Sequence, residues 1–257
     1  MVASRPFLEH PAPLAFAHRG GAGDWPENTM PAFENAVALG YRHVETDVHV
    51  TADGVLLAFH DDRLDRVTDR TGAIADLPWR EVAAARVDGI EPIPTLEELL
   101  GTFPDLQVNI DPKADGSVEP LIEVIERTGA IDRVCVGSFS DRRISRIRRR
   151  LGPRLCTSPG PRGIARLRAA ASARVLPAPQ RMGVDHGCVQ VPVRGGGLTI
   201  VEPRFIELCR RLGLQVHVWT IDEPDEMHRL LDLGVDGLMT DRPAVLKDVL
   251  VSRGAWS

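Results

Sequence analysis

Short apolar and β-branched runs alternate along the chain with longer segments in which apolar positions recur every three or four residues. Runs of the first kind are typical of buried strands, and segments of the second kind are typical of amphipathic helices. This spacing predicts helices, most of them followed by a glycine, over residues 28–39, 118–127, 141–151, 202–212, 223–233 and 244–250. It predicts strands over residues 14–17, 43–48, 55–59, 106–110, 134–136, 155–157, 188–191, 215–219 and 237–239.

Strands that alternate with helices about every 25 residues predict a parallel sheet, because a helix returns the chain to the same edge. About eight such units in 257 residues suit a single closed (β/α)8 barrel, the TIM barrel. One predicted strand is in excess. Between residues 43–48 and 55–59 lies only a short TADG turn, so either an extended segment runs back there or the two strands form an antiparallel ribbon.

The segment 62–94 is charged and longer than a simple connection between a strand and a helix. We interpret it as a small insertion subdomain on the active face of the barrel, within one domain that spans residues 1–257. Loops are predicted in the proline-rich stretches 153–161 and 177–179. The selectivity of the protein for its ligand is expected to depend on the insertion and on loops such as 177–187.

Composition narrows the class of protein. An apolar content of 43% and a charged content of 26% are ordinary for a globular chain, and a net charge of −5 argues against a general nucleic-acid-binding surface. No run of 18 apolar residues and no signal-peptide core is present, so we expect no stable membrane insertion. Four scattered cysteines without a CxxC pair predict reduced thiols and a cytoplasmic location.

Acidic and basic side chains gather where the predicted strands end, which is where TIM barrels carry their active sites. Glu45 and Asp47 lie two residues apart on one strand and therefore share a face. Asn109, Asp111 and Lys113 have the same spacing on a later strand, so Asp111 is a candidate third carboxylate. Oxygen ligands of this kind favour Mg²⁺ or Ca²⁺, and the neighbouring lysine could hold a phosphate oxygen.

Two histidines stand at further strand ends. His18 opens the stretch HRGG after the first strand, and His60 follows the predicted strand 55–59. Asp61 is interpreted as a turn or cap residue, and His49 lies beyond the end of its strand. The arginines of segment 142–150 are interpreted as the solvated face of a helix rather than as a phosphate site, because Ile144 and Ile147 mark its buried side.

With these residues in view, the sequence resembles the glycerophosphodiester phosphodiesterase family. Any one of the matching pieces is weak evidence, but together they occur in the family's order and extend from about residue 14 to residue 250. The pieces are HRG (18–20), PENT (26–29), ETD (45–47), TADG (51–54), HDDRLDRVTD (60–69), NIDPK (109–113), VHVWTID (216–222) and GLMTDRP (237–243).

The resemblance implies a TIM barrel of the phosphatidylinositol-phospholipase-C-like kind, with a small insertion after the strand that ends in HD. It implies one divalent cation, Mg²⁺ or Ca²⁺, held by three acids, although the third acid is commonly glutamate in the family and is Asp111 here. Asp241 is interpreted as a helix cap. The implied metal ligands are Glu45, Asp47 and Asp111, the implied catalytic pair is His18 and His60, and the implied substrate-binding residues are Arg19, Lys113 and Trp219.

The activity that the resemblance implies is hydrolysis of a glycerophosphodiester to sn-glycerol 3-phosphate and an alcohol. One histidine would take a proton from the nucleophile and the other would protonate the departing oxygen. The nucleophile is either water or the adjacent glycerol hydroxyl, which would give a cyclic phosphate.

Three alternatives compete with this interpretation. A phospholipase-type phosphodiesterase of the same superfamily would need a lipid-facing surface, and no aromatic or amphipathic segment for that purpose stands out in the sequence. A non-catalytic phosphoester-binding barrel is disfavoured by the presence of His18, His60 and Lys113. An amidohydrolase-type metal barrel would need an HxH pair on the first strand, where Arg19 and Gly20 follow His18.

Overall fold

The computed structural model describes residues 5–10, 13–173 and 185–256. Eight parallel strands form a nearly closed barrel, which confirms the predicted (β/α)8 fold. These strands are β1 (Leu14–Ala17), β2 (His43–Val50), β6 (Gln107–Pro112), β7 (Val134–Val136), β8 (Cys156–Thr157), β9 (Cys188–Val191), β12 (Gln215–Val218) and β13 (Gly237–Thr240). Their order around the barrel is β8-β7-β6-β2-β1-β13-β12-β9.

The extra predicted strand is not a barrel stave. It is β3 (Leu56–Ala58), which pairs antiparallel with the end of β2 through Val48 and Ala58. The intervening turn is too short for a helix that would return the chain to a parallel position, so the antiparallel ribbon is the alternative that forms. Because β3 runs back beside β2, His60 comes to lie near the active end of the barrel.

Helices cover the outside of the barrel, and most agree with the predicted segments to within two residues at each end. They are α1 (Met30–Ala38), α2 (Trp79–Val82), α3 (Leu96–Thr102), α4 (Val118–Thr128), α5 (Asp141–Leu151), α6 (Pro161–Ala173), α7 (Pro203–Arg211), α8 (Pro224–Leu233) and α9 (Pro243–Ser252). Besides the short α2, two helices were not predicted, α3 and α6. Helix α3 begins after the N-cap Thr95, whose side chain accepts a hydrogen bond from the backbone N–H of Glu98. Helix α6 is rich in alanine.

Segment 62–94 contains α2 and a short antiparallel pair, β4 (Arg86–Val87) with β5 (Glu91–Pro92). Its apolar side chains pack with those of β3 in a small cluster of their own, which includes Leu57, Leu64 and Val82. A second small hairpin joins β10 (Arg194–Gly195) to β11 (Leu198–Thr199) near α6. The predicted loop 177–179 and most of 177–187 lie outside the described residues.

The apolar core has two parts. Between barrel and helices, the outward-facing strand residues and the inward-facing helix residues form two broad layers, one on each side of the barrel. Inside the barrel, Phe16 and Met239 pack with three cysteines and with Phe7. Phe7 belongs to a 3₁₀ turn whose backbone carbonyls accept hydrogen bonds from His43 and Gln215, so this turn closes the end of the barrel opposite the active face.

No helix among the described residues combines the length and the apolar character that crossing a membrane requires.

A tight 3₁₀ turn, His18–Gly20, follows β1 and positions the predicted site residues His18 and Arg19. Gly20 has a φ of +81°, and a Cβ atom there would lie 2.8 Å from the Cβ of Ala32 and 3.1 Å from the ring of Phe33 on α1. Only glycine therefore lets the turn pack against α1.

We expect Gly20→Ala to lower the free energy of unfolding by about 2–5 kcal/mol, since it combines left-handed backbone strain with overpacking against a helix. Gly54→Ala is the matched control, because Gly54 also has a positive φ, +91°, but has open space around it. The control should cost about 1–2 kcal/mol from the backbone alone. Urea unfolding measures both, and equal costs would contradict the packing argument.

Candidate active site

One cavity of about 770 Å³ opens at the carboxyl ends of the barrel strands. All eight residues predicted for the site line it: His18, Arg19, Glu45, Asp47, His60, Asp111, Lys113 and Trp219. They come from the ends of β1, β2, β6 and β12 and from the segment after β3.

His18 is fixed by a neighbour from the last strand. Since β1 pairs with β13, the turn after β1 lies beside Asp241, and Nδ1 of His18 is 2.6 Å from Oδ1 of Asp241. Nε2 of the same ring is 3.7 Å from Oε2 of Glu45. The ring is thus held at one nitrogen by an aspartate, while the other nitrogen faces the acids of β2.

His60 is held in the same way by Asp61, whose Oδ1 lies 2.6 Å from Nδ1 of the ring. Hydrogen bonds from Arg66, foremost, lower the pKa of Asp61 to about 2, so this carboxylate is ionised at neutral pH and accepts the proton of His60 Nδ1. Arg66 also contacts Glu27, and His49 Nε2 lies 3.1 Å from the backbone carbonyl of His60.

The acids of β2 and β6 lie side by side because these strands pair in parallel with Glu45 opposite Asn109 and Asp47 opposite Asp111. The ammonium of Lys113 bridges two of them, at 2.6 Å from Oδ1 of Asp47 and 2.9 Å from Oδ2 of Asp111. Glu45 and Asp47 are both nearly inaccessible to solvent.

Arg19 adds a second cation to this group. Its backbone N–H donates to Oε2 of Glu45 at 3.2 Å. Its guanidinium lies 3.3 Å from Oδ2 of Asp47 and 3.2 Å from Oε1 of Glu27. Three acids and two cations are therefore packed together at the bottom of the cavity.

Burial of so many charges shifts their titration. Burial, and then the negative charge of Asp47, raise the pKa of Glu45 to about 8. Burial also raises the pKa of Asp111. For His18, burial acts to lower the pKa, but the carboxylates of Glu45 and Asp241 outweigh it and the pKa is raised. The site as it stands has more carboxylate than its own cations neutralise.

The donor set suits a hard divalent cation. Asp47 Oδ2 and Asp111 Oδ1 are buried and have no hydrogen-bond partner among the described residues. Carboxylate oxygens are the ligands that Mg²⁺ and Ca²⁺ prefer. The three carboxylates do not by themselves form a closed cage, because the charge of Lys113 lies between two of them. In the described part of the chain, the one trio of ligand atoms within 4.8 Å of one another is a cysteine cluster elsewhere.

The mouth of the cavity is more apolar than its floor. Trp219 lies there edge-on to Phe139, with ring centroids 5.8 Å apart, and Lys113 approaches the same phenylalanine. One wall is formed by apolar residues of α6 and of the β10–β11 hairpin, namely Ile164, Ala165, Ala169, Leu198 and Ile200. Phe139 and Leu198 are both more than 60% exposed, so two single apolar side chains face solvent at the edge of the cavity.

Two aspartates of the site were misread from sequence. Asp241 makes no side-chain cap to α9, and instead holds His18 across the pairing of the first and last strands. Asp61 was interpreted as a turn residue and holds His60. The adjacency of His60 and Asp61 was a usable signal, whereas the contact between His18 and Asp241 joins residues 223 positions apart and depends on closure of the barrel.

A parallel barrel with histidines, acids and cations at the carboxyl ends of its strands defines a TIM-barrel enzyme site. The family model described as "Glycerophosphoryl diester phosphodiesterase family" matches residues 18–245. The chain belongs to this family, and the predicted enzyme class is confirmed at that level.

Similarity to individual proteins agrees with this assignment. The chain is 46% identical to the "Probable glycerophosphodiester phosphodiesterase 2" of Mycobacterium tuberculosis, over 97% of this chain and 95% of that protein. A crystal structure from Silicibacter pomeroyi with the same family name has a TM-score of 0.79 at 25% identity, covering 96% of this chain and 97% of that one. An Oleispira antarctica phosphodiesterase, solved with the product sn-glycerol-3-phosphate, has a TM-score of 0.76 at 22% identity, covering 93% and 97%.

The raised pKa of Glu45 predicts how the stability of the metal-free protein depends on pH. Because the folded protein holds this proton more tightly than the unfolded chain, stability is expected to fall as pH rises from about 4.5 to about 8. Glu45→Gln should remove this part of the pH dependence. At pH 8.5 it should raise the free energy of unfolding by at least about 1.4 kcal/mol, the equivalent of one pKa unit.

Urea unfolding with a chelator present, at pH 5 and at pH 8.5, measures the effect. Glu34→Gln is the control, since Glu34 is an exposed carboxylate on α1. The prediction is contradicted if the free energy of unfolding of the wild type rises between pH 5 and pH 8.5 and Glu45→Gln shows the same rise. Ionisation of Glu45 would then not destabilise the folded protein.

Proposed function

We propose that the protein hydrolyses glycerophosphodiesters to sn-glycerol 3-phosphate and an alcohol, with one divalent cation, Mg²⁺ or Ca²⁺, held by Glu45, Asp47 and Asp111. The observation that carries this proposal is that two histidines, each held at Nδ1 by an aspartate at 2.6 Å, line one cavity with three buried carboxylates and two cations. A phosphodiester needs proton transfer at two oxygens and neutralisation of its charge, and this set of groups supplies both.

The histidines perform the proton transfers through Nε2, since Nδ1 of each ring is bonded to an aspartate. The raised pKa of His18 favours its protonated form and therefore the role of the acid that protonates the departing oxygen. In this assignment, His60 is the base that takes the proton of the attacking hydroxyl group. Asp241 and Asp61 orient the rings, as a carboxylate does for the histidine of a catalytic triad.

Arg19 and Lys113 bind the non-bridging phosphate oxygens in this proposal. Both already lie at the floor of the cavity against Asp47. A bound divalent cation supplies further neutralisation of charge on those oxygens. With a cation held by the three acids, Lys113 would be free to turn from the carboxylates to the phosphate. Trp219 would pack against the organic part of the substrate.

The proton-transfer assignment predicts that His18→Ala and His60→Ala each lower kcat by about 10²- to 10⁴-fold, the usual contribution of one general acid or base. Release of glycerol 3-phosphate from glycerophosphocholine, with Mg²⁺, with Ca²⁺ and with a chelator, measures it. The chelator should abolish turnover of the wild-type enzyme, because Lys113 and Arg19 would then stay paired with Asp47 and Asp111 instead of binding the phosphate.

His228→Ala serves as the control, because His228 lies on α8 outside the cavity. It should retain the wild-type rate. Turnover within a factor of about three of wild type in either site variant would remove that histidine from the mechanism, and full activity in chelator would remove the metal.

A second candidate substrate class is favoured by the apolar wall of the cavity. Ile164, Ala169 and Leu198 form a surface that glycerol 3-phosphate does not need, and Leu198 and Phe139 are exposed at its edge. A glycerophosphodiester that carries one acyl chain would bury that chain against this wall, at about 25 cal/mol per Å² of apolar area removed from water. This candidate uses the same polar site and differs only in the organic part of the substrate.

Leu198→Glu separates the two candidates. If an acyl chain lies on the wall, the variant should raise KM for lysophosphatidylcholine below its micellar concentration by about tenfold or more and leave glycerophosphocholine unchanged. Ile90→Glu is the matched control, because Ile90 is an equally exposed apolar residue outside the cavity. No turnover of the lysophospholipid, or equal KM in both variants, would restrict the enzyme to short substrates.

The cytoplasmic location and the absence of a nucleic-acid partner stay predictions from composition.

A further inference from the structure

Three cysteines meet inside the barrel below the active site. Cys135, Cys156 and Cys188 lie on the neighbouring staves β7, β8 and β9, and their sulfur atoms are all within 4.8 Å of one another. The sulfurs of Cys135 and Cys188 are 3.8 Å apart. All three side chains are buried and none forms a disulfide. The proposed phosphodiester chemistry uses none of them.

The cluster lies where the barrel is least well joined. No strand pairing connects β8 to β9, which are the two ends of the strand order in the described sheet. Two hydrogen bonds join the edges of β8 and β9. The backbone N–H of Gly187 donates to the carbonyl of Thr157, and the backbone N–H of Gln190 donates to Ser158 Oγ. A group that bound all three sulfurs would therefore join the two edges of the barrel.

The surroundings of the cluster combine apolar packing with buried positive charge. Phe7, Phe16 and Met239 pack around the sulfurs. Arg5 is also buried, with its side chain 4% exposed, and its Nε has no hydrogen-bond partner. A Cβ on Gly187 would contact both Arg5 and the Cys156 sulfur, so the absence of a side chain there lets the guanidinium approach the thiols.

The arrangement of the sulfurs fits one class of ligand. A metal at about 2.3 Å from three sulfurs in a plane places them about 4.0 Å apart. The sulfurs of Cys135 and Cys188 are 3.8 Å apart, and the third lies within 4.8 Å of both. Thiolates select soft ions such as Cu(I) and Zn²⁺, but structural Zn²⁺ takes four ligands, and the described residues supply three. We propose that Cys135, Cys156 and Cys188 form a trigonal thiolate site for Cu(I).

The charge balance supports a cation with three thiolates at this place. One Cu(I) with three thiolates carries a charge of about −2. The nearby cations are Arg5 and Arg148, and Arg148 is held in place by its bonds to Thr157 and Asp185. Binding releases the thiol protons to solvent.

The test is an anaerobic titration of the reduced full-length protein with Cu(I), in competition with bathocuproine disulfonate. Wild type should bind one Cu(I) per chain, at least about 100-fold more tightly than Cys135→Ala, Cys156→Ala or Cys188→Ala. The loaded protein should show thiolate-to-copper absorption in the near ultraviolet. X-ray absorption should give three sulfur neighbours at about 2.3 Å and no nitrogen or oxygen.

Cys209→Ala is the matched control, because Cys209 is equally buried but lies on α7, outside the cluster. It should bind copper as wild type does. Binding lost equally in this control, a two-coordinate or nitrogen-containing copper environment, or displacement of Cu(I) by equimolar Zn²⁺ would overturn the proposal. If the cluster variants fail to fold, the X-ray absorption of the wild-type complex decides alone. The outcome does not depend on the phosphodiesterase assignment, which glycerol 3-phosphate release tests separately.

Discussion

The site depends on the in-register parallel pairing of β2 and β6, which places Asp47 beside Asp111 and Glu45 one level below. Such a concentration of buried negative charge is unfavourable unless cations share it. Lys113 and the guanidinium of Arg19 supply that charge within the chain, the first between Asp47 and Asp111 and the second against Asp47. Burial, and then the charge of Asp47, raise the pKa of Glu45. The excess of acids over cations on this floor, three to two, is the physical reason for the proposed divalent cation.

The two histidines lie around this charged floor and are oriented by independent means. Asp61 follows His60 directly in sequence, whereas Asp241 reaches His18 from the last strand of the barrel. Both arrangements leave Nε2 for exchange with a substrate. His60 lies in a segment that the small apolar cluster of β3 and residues 62–94 stabilises. His18 lies in the turn that Gly20 packs against α1. The proposed proton transfers would therefore rest on two separately stabilised parts of the fold.

The barrel interior is divided along its axis between charged and apolar residues. The carboxyl end holds the acids and the cavity, while Phe7, Phe16 and the thiol cluster fill the opposite end. The side-chain amide of Gln190 on β9 donates a hydrogen bond to Oδ1 of Asn109 on β6, across the barrel between two strands that are not neighbours in the sheet. The side on which β8 and β9 lack strand pairing is also the side on which α6 and the β10–β11 hairpin form the apolar wall. Both proposals beyond the polar site, for an acyl chain and for copper, concern this less regular half of the barrel.

Periodicity and strand-end chemistry were enough to predict the barrel, most helix boundaries and six of the site residues, because each of these follows from local spacing, whereas Arg19 and Trp219 were assigned through the family resemblance. A carboxylate pair two residues apart must share a face of its strand, whatever the rest of the fold does. The antiparallel position of β3, the partnership of His18 with Asp241, the bridging position of Lys113 and the meeting of three distant cysteines depend on which strands become neighbours. Those contacts are set by the pairing and packing of strands, and for His18 and Asp241 by closure of the barrel between its first and last strands, so only the tertiary structure could decide them.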